Sequence, residues 1–338
     1  TALVLMNLGP ILSLTGAEGE TRDIAIRYLH ISLPSMPVMI LGMMSSAILR
    51  AAGEALRAMY VTLSGGVVAL FVDPVLIWWM ELGADGAALS IVISRLVMAA
   101  TGMWYLVRVK RLMGRPSLPD WRGFVRPFLA VALPAVATQM ATPFGNWVLT
   151  RAMADFGDSA VAGWGVVSRL TILVFGGIFA LSGAIGGIFG QNYGIGRVDR
   201  VRATYWDALK FCAAYTLVAW AVLYAAQGLV VQAFGLGTEG AEVVRAFTSL
   251  AAGAFVFAGA LFVANAAFNN LGRPLWSTGF NWLRDGVLMY PAAVLFGGWL
   301  GAPGVIYAQA AAGVLAGGLA AVSAWVYVRG LRPKPVPA

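Results

Sequence analysis

YVTLSGGVVALFVDPVLIWW, residues 60–79, carries one charge in twenty positions, and its reading decides the fold. As an α-helix, twenty residues rise about 30 Å, the thickness of a bilayer's hydrocarbon core. The charge is Asp73, and Pro74 follows it. An ionised carboxylate costs roughly 3 kcal/mol at the centre of a spanning helix even on lenient insertion scales, so its presence points to a use.

The rest of the chain has the same character. Of 338 residues, 60% are hydrophobic and 11% charged, and the mean hydropathy is +0.80. A soluble chain with that balance lacks the polar surface to cover itself. Nine runs have the length and composition to span: 29–49, 58–80, 84–107, 124–150, 160–189, 203–234, 246–270, 275–299 and 303–328. The expected class is therefore an all-α integral membrane protein with the lipid bilayer as its first partner. A single cysteine, Cys212, and a single histidine, His30, leave no pattern for a disulfide, a cysteine- or histidine-based metal site, or a catalytic triad. No enzyme is expected.

The net charge of +8 is distributed by side. Every second connection is basic: Arg50 and Arg57, the stretch RVKRLMGRPSLPDWRGFVR (108–126), Arg197 to Arg202, Arg273, and Arg329 to Lys334. Together they hold fifteen of the 23 lysines and arginines, while the opposite connections hold nine of the 15 acids. By the positive-inside rule the basic set and the C-terminus are cytoplasmic, and nucleic acid is not the partner.

AILRAAGEALRAMY (47–60) resembles AAFNNLGRPLWSTG (266–279). Gly53 matches Gly272, Pro74 matches Pro291, GADG (83–86) matches GAPG (301–304) and TGAEG (15–19) matches LGTEG (236–240). This predicts two six-helix lobes related by a parallel internal repeat. The predicted division is 1–107 as an N-terminal lobe, 108–123 as a basic cytoplasmic linker, 124–328 as a complete C-terminal lobe and 329–338 as a cytoplasmic tail. The opening TALVLMNLGPILSL is too short to cross alone and has no signal-peptide features. It is expected to be the outer half of a third helix, so that the first two and a half helices of a twelve-helix protein are missing from this chain.

RAAGEALR (50–57), the Asp-Pro of 73–74 followed by LGADGAALSIVIS (82–94), FGDSAVAGWGVVSRL (156–170), GQNYGIGRVDRVR (190–202) and NNLGRPLWS (269–277) together resemble the multidrug and toxic compound extrusion (MATE) transporters. The resemblance implies a V-shaped pair of six-helix lobes that expels organic, often cationic, compounds in exchange for H⁺ or Na⁺. Without an acid in the seventh helix, the chain is similar to the DinF-type branch. There the aspartate of the Asp-Pro pair helps form the cation or proton site, and Asp73 stands at that position. Ala69, where the family often has Asn, and Ser90-Ile91, where it has Ala-Thr, are departures.

Asp73, with Ser46, is thus the expected coupling site for H⁺ or Na⁺, and no other cofactor is expected. A structural alternative stands beside it: Asp73 lies ten residues before Gly83 and Arg95 twelve after, so an antiparallel pair would bring them to one depth and let them neutralise each other. Soft methionines and in-span amides suggest a substrate cavity of Met39, Met43, Gln139, Met140, Asn146, Trp147, Asn265 and Asn269. Arg284 and Asp285, with Arg95, are expected to be an intramembrane charge group. The predicted partner is a small organic molecule and the predicted state a monomer. The rival readings are a lipid-linked-saccharide flippase of the same superfamily, which would need several cations in its cavity, and a non-transporting membrane protein.

Overall fold

The computed structural model describes residues 5, 6, 8, 19–114 and 118–332. Most of the opening apolar stretch, TGAEG up to residue 18, part of the basic linker and the end of the tail therefore lie outside the described residues. Among those described, every regular element is helical. In hydrocarbon a helix is the one open-chain solution that satisfies its own backbone. Among the described residues, eight helices are long and apolar enough to cross a membrane. The ninth expected span, 275–299, is present as a helical run over 274–300 but is not one of the eight. Arg284 and Asp285 in its middle lower its hydropathy.

The chain divides into two compact units, Thr1–Ser117 and Leu118–Ala338. In the N-terminal unit, α1 (Gly19–Ser32) passes through a 3₁₀ turn at Leu33–Ser35 into α2 (Met36–Ala51). Pro34 and Pro37 lack the N–H groups that a continuous helix would need here, which explains the break. α3 (Ala55–Pro74) runs into a π turn at Val75–Trp79, and α4 (Gly83–Trp104) into another at Tyr105–Val109. Arg95 of α4 closes the break between α1 and α2: it donates to the Ser32 carbonyl at 2.9 Å and to Ser35 Oγ at 2.7 Å.

The C-terminal unit comprises α5 (Leu118–Ala154), α6 (Asp158–Gly194), α7 (Val198–Ala233), α8 (Thr238–Ala246), α9 (Ala252–Asn270), α10 (Pro274–Trp282), α11 (Met289–Leu300) and α12 (Ala302–Arg329). π turns at Phe247–Ala251 and Leu283–Leu288 join α8 to α9 and α10 to α11. α9 is the central helix, buried over most of its length. α12 packs with a stripe at every fourth residue, Ala308, Ala312, Ala316, Ala320, Ala324 and Val328, all buried. Its other face leaves Leu315, Leu319, Val322 and Val326 more than half exposed. Small residues inward and large apolar ones outward is the arrangement of a helix that packs on protein and faces lipid.

On the surface of the N-terminal unit, Glu54 at the α2–α3 turn is held by Lys110, beyond α4, and by Arg57. The hydrogen bond from Lys110, with the charges of Arg57 and Lys110, outweighs partial desolvation and holds the carboxyl below its ordinary 4.5. A depressed carboxylate stabilises the fold above its unfolded pKa and loses that contribution as pH falls through its folded one. Glu54→Gln should therefore lower the thermal midpoint in micelles at pH 7, and the difference should shrink as pH falls below 4.5 and vanish only once the folded carboxyl is protonated. An equal deficit before and after that protonation would contradict the tether.

Candidate functional site

Arg284 and Asp285 are neighbours in sequence and partners in space. Arg284 Nε and Nη2 donate to Asp285 Oδ1 and Oδ2, each at 2.7 Å. Both side chains are nearly out of solvent, 12% and 5% exposed. Adjacent positions on a regular α-helix diverge by about 100°. This pair instead sits in the π turn Leu283–Leu288, a local widening that recurs at functional sites. A buried ion pair is tolerated when its geometry is good, and a guanidinium fork on both carboxylate oxygens is the best geometry available.

The pair opens onto a cavity of about 300 Å³ within the C-terminal unit. Aromatic walls come from Trp164 and Phe179 of α6, Phe247 of the π turn and Phe255 of α9. Thr142 and Asn146 of α5, Ser168 of α6 and Gln309 of α12 supply polar groups. α5 comes this close because Gly145 has no side chain: a Cβ there would lie 2.9 Å from Asp285 Cβ and Cγ. Thr138 and Thr278 both donate to the Pro134 carbonyl, at 2.8 and 2.9 Å, and Trp282 Nε1 donates to the Ala137 carbonyl at 2.9 Å. The bonds from Thr278 and Trp282 fix α10 on α5 just before the π turn.

Of the residues predicted to line a substrate cavity, Asn146 does so. Gln139 and Met140 line a separate open groove on α5 of about 530 Å³, with Pro143 and Phe144. Trp147 is exposed and its ring lies 5.8 Å from that of Phe144. Asn265 is buried at the α9–α10 crossing, where it accepts from Asn281 Nδ2 at 3.1 Å and, through its carbonyl, from Ser277 Oγ at 3.3 Å. Asn269 is exposed at the end of α9, while Met39 is half-buried and Met43 exposed on α2. The aromatic walls, Ser168 and Gln309 were not singled out from the sequence. Trp164, Ser168, Thr171 and Phe179 do fall on one face of α6, a helical period that could have revealed them.

In the N-terminal unit Asp73 is half-buried at the end of α3 and makes no hydrogen bond or ion pair among the described residues. The ion pair with Arg95 is not formed, because Arg95 is engaged with Ser32 and Ser35. Ser46 is not brought to Asp73 either. It donates to the Ala58 carbonyl at 3.0 Å and accepts from Arg50 at 2.9 Å. Ala58 lies fifteen residues before Asp73 on α3, about 22 Å at 1.5 Å per residue.

A family model described as MatE matches residues 1–75 and 134–295, most of the chain. The chain belongs to the MatE family. As the eight apolar helices also indicate, it is a multi-pass membrane protein. Its relatives in this family include a FAD transporter of Shewanella oneidensis, 25% identical over 87% of this chain and 67% of the relative. A probable multidrug resistance protein of Bacillus subtilis, YpnP, is 24% identical over 77% of this chain and 58% of the relative. A 21 kDa protein from the iaaL 5' region of Pseudomonas savastanoi is 41% identical over 35% of this chain. The chain spans 39% of that relative's length, and about six-tenths to two-thirds of the other two. A crystal structure of a mutant Vibrio cholerae MATE transporter, VcmN, shares the fold, with a TM-score of 0.89 at 20% identity over 98% of this chain and 75% of that one.

The contact at Gly145 gives a direct test of the site's packing. Gly145→Ala should crowd Asp285 and destabilise the protein by about 1–3 kcal/mol, read as a lower thermal midpoint in micelles. Gly183→Ala in α6, where a Cβ meets nothing within 4 Å, should be neutral or stabilising.

Proposed function

We propose that the protein is a secondary active antiporter that exports drugs or other organic compounds in exchange for H⁺ or Na⁺ by alternating access. The observation that carries the reading is the aromatic-walled cavity of the C-terminal unit, with one buried ion pair, on a fold shared with a MATE transporter. The relatives' names, a FAD transporter and a probable multidrug resistance protein, agree with an organic cargo. A lipid-linked-saccharide flippase is less well supported. Among the described residues that line the cavity Arg284 is the one cation, and Asp285 already neutralises it.

Coupling is assigned to Asp73. Its lack of a partner among the described residues favours this, as does Pro74, which leaves the Leu70 carbonyl without its helical donor and open to a cation or water. An α5 that carries no acid within the membrane supports the DinF-type assignment. The parallel repeat is supported by matching local geometry inside each unit. Gly53 and Gly272 both have positive φ, 82° and 88°. Just after each, Glu54 N donates to the Leu49 carbonyl and Arg273 N to the Phe268 carbonyl, both at 2.8 Å. Each neighbouring helix crossing is bridged by a serine hydroxyl, Ser46 to Ala58 and Ser277 to Asn265. The reading places the protein in the plasma membrane as a monomer with its C-terminus in the cytoplasm, and assigns it no catalysis.

In proteoliposomes, Asp73→Asn should abolish ion-driven efflux while expression and equilibrium drug binding stay near wild type. An amide keeps the shape but offers neither a proton to release nor a charge to Na⁺. Undiminished transport by this variant would remove Asp73 from coupling. The orientation has its own test: cysteines introduced at Arg111 and Asp158 should react with an impermeant reagent from opposite sides, cytoplasmic and external respectively. Reaction from one common side would overturn it.

A further inference from the structure

Arg284 and Asp285 form a device whose two halves differ in one respect: the carboxylate can be neutralised by a proton and the guanidinium cannot lose its charge. The pair therefore opens without leaving a bare buried charge in one way only. Asp285 accepts a proton, and an anion takes its place on Arg284. A cationic ligand on Asp285 would instead strand Arg284 in a cavity with no second acid, since among the described residues no other ionisable side chain lines it from α5, α6, α9, α11, α12 or the two π turns. We infer that this cavity binds small aromatic organic acids, each as the anion on Arg284 together with one proton on Asp285.

The surroundings suit such a ligand. Trp164, Phe179, Phe247 and Phe255 present ring faces and edges to a planar apolar body. Asn146, Ser168 and Gln309 line the same space and make no side-chain hydrogen bond among the described residues, so their donors are available to the ligand's second carboxylate oxygen. Gly145 lets α5 approach Asp285 closely, and the next residue, Asn146, lines the same cavity as the pair. A volume of about 300 Å³ admits one or two fused rings. Proton and charge balance: the acid's proton goes to Asp285, its anion goes to Arg284, and the site stays neutral. The bound acid is therefore carried without net charge, and the ion at Asp73 is left to drive the cycle. The inference supplies a cargo class for the export reading and needs that reading only for direction.

The test is equilibrium binding of 2-naphthoate to the 338-residue protein in micelles, by calorimetry in buffers of different ionisation heat. It needs no transport, so failure of the Asp73 experiment does not touch it. The expected result is uptake of one proton per naphthoate and an affinity that falls about tenfold for each unit of rising pH near neutrality. Naphthylmethylammonium should not bind at this site. Asp285→Asn should bind naphthoate more tightly and without proton uptake or pH dependence, an outcome a merely structural pair would not give. The uncharged double variant Arg284→Gln/Asp285→Asn keeps shape and hydrogen bonding and should lose naphthoate binding while melting near wild type. Should Asp285→Asn not fold, the wild-type proton count and the double variant decide. Binding without proton uptake, survival of binding in the double variant, or preference for the naphthyl cation would each overturn the assignment.

Discussion

Inside a bilayer a backbone carbonyl that loses its helical donor has no water to turn to, and in this protein side chains from neighbouring helices answer it. Arg95 reaches the Ser32 carbonyl at the break between α1 and α2. Trp220 Nε1 reaches the Thr248 carbonyl within the π turn that starts α9, and Tyr327 hydroxyl the Leu271 carbonyl where α9 ends. Tyr205 and Tyr215 add a second donor to carbonyls inside unbroken helices, those of Ala321 and Val174. In each case an amphipathic side chain lays its body against a helix and places its polar tip on a carbonyl. Breaks in these helices are therefore fixed points where two helices are tied together, and the tertiary structure is organised around them.

That constraint explains why much of the architecture could be read from the sequence. Long, mostly apolar runs can only be helices in lipid, so helix positions follow from counting, as the overlap of 203–234 with Val198–Ala233 illustrates. The glycines at 53 and 272 announced their turns because few other residues take a positive φ. The internal pairing of Arg284 with Asp285 followed from two charges set side by side far from either water layer.

The candidate site was less legible, and particular residues show why. Counting from Gly83 gave the depths of Asp73 and Arg95 but not the direction in which each points. Arg95 turns toward the serines of the α1–α2 break, a partner sixty residues away in sequence. Nothing in the composition of LRDGVL marks it as a π turn. Amides were weighed as cavity lining because they are polar in an apolar run, yet Asn265 spends its polarity on Asn281 in a closed network. A polar group in a membrane helix needs a partner, and the sequence does not say whether that partner is protein or ligand.

The π turns carry a further consequence. Each of the four among the described residues holds one residue more than an α turn would. If that surplus is handed on along a helix, the stretch between its old and new positions screws about its own axis by about 100° and slides about 1.5 Å, with most of its hydrogen bonds intact. A helix built in this way can change the face it presents without a hinge and without melting. In the run from α10 to α11 the surplus residue lies where Arg284 and Asp285 stand, so that a small change in winding there is also a change in which charges the cavity contains.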